Sequence, residues 1–276
     1  MEAQKEFEFT QDDFDYLRKI ITEMTGIIAG EDKYTMFYSR LARRLRKLGL
    51  TDFLAYRKYL QKNLESESIE LVNSITTNLT AFFRENHHFE FIKSTLVKDK
   101  INQGERKLRI WSAACSTGEE PYSAAISVIE SIPDISQWDI KILATDIDSQ
   151  VLQTCRTGVY HESRIEGLDK MRLKRFFKKG SGSNQGQVKV NDELKHLITF
   201  NQLNLLHDWP IKEKLDLILC RNVVIYFDQD TKVSLVDRFA NQLDNRSYLM
   251  MGHSESLYQA TDRFELLGQT IYQKIR

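Results

Sequence analysis

The chain has 276 residues, 41% of them hydrophobic and 28% charged, which fits one large globular domain or two unequal ones. Its 39 basic and 39 acidic side chains cancel, so a global electrostatic drive toward nucleic acid or a membrane surface is excluded and charge-led recognition must be local. The three cysteines lack CxxC or Cys/His ligand spacing, which excludes a disulfide framework and a zinc site, and no metal is expected.

The chain opens on MEAQKEFEFTQDD, acidic and polar, which is no signal peptide. No apolar run approaches the roughly 20 residues of a membrane span, and a cytoplasmic protein is expected. Up to about residue 85 the periodicity is helical. Phe14, Leu17, Ile20, Ile21 and Met24 form the stripe of a first helix, with Thr10 as its cap and Asp12 and Asp13 in its first turn. Tyr34 to Leu48 predicts a second helix ended by Gly49, and a third runs from Thr51 or Asp52 to about Leu60. The polar ESES at 65–68 reads as a short connection before a fourth, from about Ser68 through Leu79. An all-α domain is expected over 1–85 and a second domain over 86–276.

From Lys107 short apolar runs alternate with amphipathic helices. LRIWSAAC, IKILATDI, LDLILC and YLMMGH read as strands, with helices at PYSAAISVIESI, about Ser149 to Cys155, and TKVSLVDRFANQL. This alternation predicts an α/β domain with a parallel sheet covered on both faces. YLMMGH and the final FELLGQTIYQKI lack a helix between them and are expected to pair antiparallel. Cys115 and Cys220 each close an apolar run and read as buried, inert thiols. Between about 160 and 200, FFKKGSGSNQGQVKV and HLITF predict three short strands of a small inserted β-subdomain.

Ligands of open α/β sheets sit beyond the carboxyl ends of the strands. After LRIW comes a run of small residues, Ser112 to Gly118, then Glu119, Glu120 and Pro121. A pyrophosphate cradle needs backbone N–H groups free of carboxylates, so the glutamate pair argues against NAD or ATP and suits a ligand carrying an ammonium group. Asp146, at the tip of IKILAT, can accept from two ribose hydroxyls, whereas Asp148 reads better as a helix cap. Asn222 follows LDLILC with an amide suited to an adenine edge or a polar tail. Asn204 and Leu205 follow ITFNQL in the same way. Tyr226 reads either as core packing or as a group reaching the reacting centre.

The strings TTNLTAFFRE (76–85), WSAACSTGEEPYS (111–123), ATDID (144–148), CRNVVIYF (220–227) and GHSES (252–256) together resemble the chemotaxis receptor methyltransferases, the CheR family, over essentially the whole chain. The resemblance implies a helical N-terminal domain, a Rossmann-like class I domain binding S-adenosylmethionine (AdoMet) and an inserted β-subdomain. It implies cofactor contacts at Asn78, Thr80, Arg84, Glu120, Asp146, Asn204, Leu205, Asn222 and Val223, with Arg84 and Tyr226 nearest the methyl group and Arg221 close by. The implied reaction makes glutamyl methyl esters on a chemoreceptor and leaves S-adenosylhomocysteine (AdoHcy). A receptor-binding adaptor without turnover is the alternative. A nucleic-acid methyltransferase is disfavoured by the charge balance.

A carboxylate needs no general base, which agrees with the absence of a catalytic His/Asp pattern. His87 and His88 are expected to point to different helix faces, and GHSES lacks the second glycine of a nucleophile elbow. Arg40, Arg43, Arg44 and Lys47 share one face of the second helix with no acid among them, while Arg46 points elsewhere. Such a patch suits the acidic helices of a receptor's cytoplasmic domain. By the same resemblance the hairpin, with Gly180, Gly182 and Gly186 and with Lys179 and Lys189, is expected to take a receptor's C-terminal pentapeptide as an added strand. A monomer is expected.

Overall fold

The computed structural model describes residues 6–257 and 260–276; residues 1–5 of the polar opening lie outside the described residues. The described chain up to Thr77, with Tyr226–Thr231, forms one compact unit, and Asn78–Ile225 with Lys232–Arg276 forms another.

The first unit is built on α1 (Gln11–Thr25), α2 (Tyr34–Leu48), α3 (Phe53–Lys62) and α4 (Leu64–Ile75). Thr10 and Asp13 make a reciprocal capping box at the start of α1, and Gly26 ends it in the left-handed conformation. The predicted stripe is buried through Phe14, Leu17 and Ile21, and Phe14 meets Phe37 of α2 edge-on with ring centroids 5.1 Å apart. The fourth helix differs from its expectation at both ends. The ESES residues lie inside α4, because Glu67 is not a solvated connector but a buried partner of Arg44 and Tyr56. At the other end Arg40 donates to the carbonyls of Ile75 (2.5 Å) and Thr76 (2.7 Å), which closes the helix before the predicted Leu79.

The second unit carries α5 (His87–Phe91), a π-helical turn (Ile92–Leu96) and α6 (Val97–Asn102) ahead of its sheet. Then follow β1 (Lys107–Ala113), α7 (Glu119–Ser131), β2 (Asp139–Asp146) and α8 (Ser149–Thr157). The middle of the unit holds β3 (Val159–His161), α9 (Lys170–Phe176), β4 (Phe177–Lys179), β5 (Gln187–Val190), α10 (Asp192–Lys195) and β6 (Ile198–Gln202). Its end holds β7 (Leu215–Cys220), α11 (Gln229–Gln242), β8 (Leu243–Met251), β9 (Phe264–Gly268) and β10 (Ile271–Lys274). The seven-stranded sheet runs β6-β2-β1-β7-β8-β10-β9, parallel from β6 to β8 and antiparallel beyond. This is the expected Rossmann-like α/β sheet. Its central strands are buried on both faces, which is why they read as continuous apolar runs.

Two strand assignments change. HLITF is not part of the inserted subdomain: β6 pairs parallel with β2 from Ile142↔Ile198 to Asp146↔Gln202 and forms an edge of the main sheet. The inserted sheet is β3-β5-β4, with Val159–His161 as its third strand. The final run also splits. Gln269 and Thr270, both at positive φ, turn it into a β9–β10 hairpin, and β10 is the strand that pairs with β8. Gly268, at φ 128°, directly precedes the two turn residues.

Candidate active site

The sheet brings four of the predicted loops to one edge. Strands β6, β2, β1 and β7 are neighbours, and their C-terminal ends carry Asn204, Asp146, the Ser112–Gly118 loop and Asn222 respectively. The chain passes from β1 to β2 on one side and from β6 to β7 on the other, the reversal of strand order at which open α/β sheets bind ligands.

Backbone strain concentrates at this edge. Ala114 (φ 91°), Ser116 (φ 50°) and Asn222 (φ 61°) adopt left-handed conformations without being glycine. Gly118 (φ 100°) could not be replaced, since a Cβ would stand 2.9 Å from the Tyr160 hydroxyl and 3.0 Å from Cys155 Sγ. Asp146, only 6% exposed, spends one oxygen on the Ser116 N–H (2.8 Å) and the other on the Asp148 N–H (2.9 Å). Burial pushes its carboxyl up to about 6. Asp148 caps α8 through the N–H groups of Gln150 and Val151, as expected. It also accepts from Asn78 Nδ2 (2.8 Å), while the Asn78 carbonyl accepts from Ser116 Oγ (3.1 Å). The TTNLTAFFRE segment is thereby brought to the tip of β2. The Thr80 carbonyl accepts from Arg164 (2.9 Å), which also pairs with Glu119 at the start of α7.

The two glutamates after the loop part company. Glu119 is fully buried and paired with Arg164 and Thr117, so it belongs to the scaffold. Glu120 accepts from Ser112 Oγ (2.7 Å) and from Arg221 (3.1 Å), and burial raises its pKa despite these partners. Arg221 is 7% exposed and also reaches Glu85 (3.2 Å) and the Arg84 carbonyl. It therefore holds Arg84 by its main chain. The Arg84 guanidinium donates to the Leu79 carbonyl (2.9 Å), between Phe83 and Glu85, both at φ 55°. Glu85 is held down to about 2, against its own burial, by His253 (3.0 Å) and Arg221. Of the four buried side-chain nitrogens and oxygens without a hydrogen-bond partner among the described residues, three (Glu85 Oε2, His88 Nδ1, Arg221 Nε) lie in this network.

His87 and His88 do not diverge. They begin α5, their ring centroids are 4.1 Å apart, and both Nε2 atoms face the Gln269 carbonyl at 3.0 and 3.2 Å. With Glu85 they form a group of metal-ligand type. Burial holds His88 down to about 3, and the Arg221 cation already occupies the carboxylate.

The other predicted residues have partners of their own. Leu205 is buried and its carbonyl accepts from Trp209 and Arg238. Val223 donates its N–H to Glu255 (2.8 Å). Tyr226 belongs to the helical unit, where its carbonyl accepts from the Ile28 N–H (2.8 Å). The basic face of α2 is not unneutralised, because its acids come from α4: Arg44 pairs with Glu67 (2.5 Å) and Glu70 (3.1 Å), and Arg40 is spent on carbonyls. Arg43 and Lys47 are exposed. In the β-subdomain Lys179 and Lys189 are exposed, Gly182 and Gly186 have positive φ, and Gly180 is the sterically required glycine, since a Cβ would stand 2.1 Å from the Asn184 carbonyl oxygen.

The donor set fits AdoMet. Each Asp146 oxygen accepts one N–H and keeps a lone pair for a ribose hydroxyl, while Asn204 and Asn222 stand at the same edge of the sheet, after β6 and β7. Sequence reasoning passed over Ser112, Ser116, Glu85 and Glu255; all four sit inside the quoted motifs, yet their roles depend on contacts across the chain.

A model described as CheR methyltransferase, SAM binding domain, matches residues 78–273, and one described as CheR methyltransferase, all-alpha domain, matches residues 12–76. The chain is 44% identical over 269 residues to Chemotaxis protein methyltransferase 2 of Pseudomonas aeruginosa, covering 97% of this chain and 95% of that protein. It is 42% identical over 262 residues to the Chemotaxis protein methyltransferase of Escherichia coli, covering 94% and 89%. It is 36% identical over 272 residues to that of Borreliella burgdorferi, covering 96% and 95%. With a family model spanning the sheet and every strand-end loop described above, this chain belongs to the CheR methyltransferase family.

Proposed function

We propose that the chain transfers the methyl group of AdoMet to glutamate side chains of bacterial chemoreceptors, in the cytoplasm and as a monomer. The carrying observation is that Asp146, Asn204 and Asn222 follow β2, β6 and β7 at the same C-terminal edge of the sheet, in a chain that matches the CheR SAM-binding model. Bound AdoMet supplies a methyl carbon on a positive sulfur, so the substrate carboxylate forms an O–CH3 bond as the C–S bond breaks, and both charges vanish without proton transfer. A glutamate with an ordinary pKa of about 4.3 is already the nucleophile at neutral pH.

The protein's contribution is then alignment, which can supply roughly 7–11 kcal/mol of the barrier. We assign Asp146 to the ribose hydroxyls, Asn204, Leu205, Asn222 and Val223 to the rest of the nucleoside, and Asn78, Thr80 and Glu120 to the methionine end. Arg84 orients the target carboxylate by charge-assisted hydrogen bonds, with Tyr226 as its companion. Arg221 acts through Arg84 and Glu120, as a positioning residue. The helical N-terminal domain, set at 1–85, recognises the receptor, with Arg43 and Lys47 as its available cations, and the β-subdomain takes the C-terminal pentapeptide of those receptors that carry one. Incubation of the protein with labelled AdoMet and receptor-containing membranes tests the reading. Base-labile methyl groups on the receptor support it; label on nucleic acid, or binding without transfer, contradicts it.

A further inference from the structure

The GHSES segment lacks the second glycine of a nucleophile elbow, yet its glutamate is built into the edge that carries Asn222. Glu255 follows β8 and is 3% exposed. Its carboxylate accepts four main-chain N–H groups: Oε2 from Asn222 (2.7 Å) and Gly252 (2.7 Å), Oε1 from Val223 (2.8 Å) and Ile225 (3.3 Å). Three of these four belong to the loop after β7 that carries Asn222. That loop needs an external hold, because Asn222 sits at φ 61° without being glycine. Gly252 completes the fit from the other side. A Cβ there would stand 2.4 Å from Asn222 Nδ2, 2.8 Å from Asn222 N and 2.8 Å from Glu255 Oε2.

We propose that Glu255 is a positioning residue for methyl-donor binding, whose buried carboxylate holds the Asn222–Ile225 loop in the shape that receives AdoMet. A loop ordered before the ligand arrives does not have to be ordered by it, and affinity rises accordingly. The proposal rests on the reading that Asn222 contacts the cofactor.

Glu255→Gln is the sharpest test, because the amide keeps the volume but turns a donor toward two main-chain N–H groups that need an acceptor. The expected result is a rise of roughly tenfold or more in the AdoHcy dissociation constant by calorimetry. Faster amide hydrogen exchange over residues 221–225 accompanies it, with the receptor KM unchanged. Glu130→Gln is the control for general destabilisation: it breaks the pairing with Arg172 (2.7 and 2.8 Å) in the same unit and leaves AdoHcy affinity as it was. If Glu255→Gln does not fold, Gly252→Ala strains the same contact by a single methyl group, with the same affinity loss expected. An AdoHcy affinity within about twofold of wild type in the folded variant overturns the proposal, as does an equal loss in Glu130→Gln. Asn222→Ala separates the two levels. Weakened binding there with normal binding in Glu255→Gln overturns the proposal alone, whereas normal binding in Asn222→Ala overturns the site reading beneath it.

Discussion

In the proposed reaction Arg84 orients the target carboxylate. Its backbone is pinned by Arg221 at the carbonyl and flanked by two left-handed residues, so its guanidinium is presented by a strained but fully determined segment. Arg84→Ala is expected to lower methyl transfer by about 10²-fold or more, with circular dichroism and thermal midpoint close to wild type; near-normal turnover contradicts the assignment. Asp146 makes a second prediction. Its folded pKa of about 6 lies above the ordinary 3.8, so the folded state binds more protons and this group's contribution to the stability of the ligand-free protein declines as pH rises from 3.8 to about 6. Ligand binding would run the other way under the proposed assignment, in which ribose hydroxyls donate to the ionised form. AdoHcy affinity should therefore weaken as pH falls below about 6, and Asp146→Asn should flatten that dependence. A pH-independent affinity in the wild type contradicts it. At this scale the residue types were legible and their conformations were not: Phe83, Glu85, Ala114, Ser116 and Asn222 all have positive φ, and none carries the glycine that would announce it.

Among the elements, α2 shows how periodicity reveals a face but not what the face meets. Its amphipathicity was readable from Phe37, Leu41 and Leu45, all buried. The partners of its cations were not, since Glu67 and Glu70 sit in a stretch whose polar composition resembles a connector. The consequence is a division of labour. Arg44→Ala would leave Glu67, 1% exposed, without its ion-pair partner and should cost about 3 kcal/mol of stability in denaturant unfolding. Arg43→Glu with Lys47→Glu should leave stability nearly unchanged and raise the receptor KM. Equal effects of the two changes on stability would contradict the division. The β-subdomain gives the complementary case. Its hairpin was legible from glycine and serine, but HLITF was misplaced because a five-residue strand carries no mark of the sheet it joins. The edge strand β4 ends on the exposed Lys179, and Lys189 lies on the neighbouring β5. Lys179→Glu with Lys189→Glu should weaken binding of a receptor C-terminal pentapeptide by about tenfold in fluorescence anisotropy, without changing AdoHcy affinity; an unchanged peptide affinity contradicts the tether.

For the whole molecule, the chain divides between a helical unit and an α/β unit, the two kinds of pattern that the sequence carries. Alternating strands and helices were legible because double burial enforces apolar runs; the order β8-β10-β9 was not, because it depends on a turn built from Gln269 and Thr270. No helix among the described residues is long and apolar enough to cross a membrane. The central claim joins a methyl-donor site to a carboxylate target, and peptide mass spectrometry of a chemoreceptor incubated with the protein and AdoMet tests it most directly. Methyl esters on glutamates of the receptor's cytoplasmic helices, absent with Arg84→Ala, are the predicted result. Methyl groups on nitrogen, or an unmodified receptor in the presence of bound AdoMet, would contradict it.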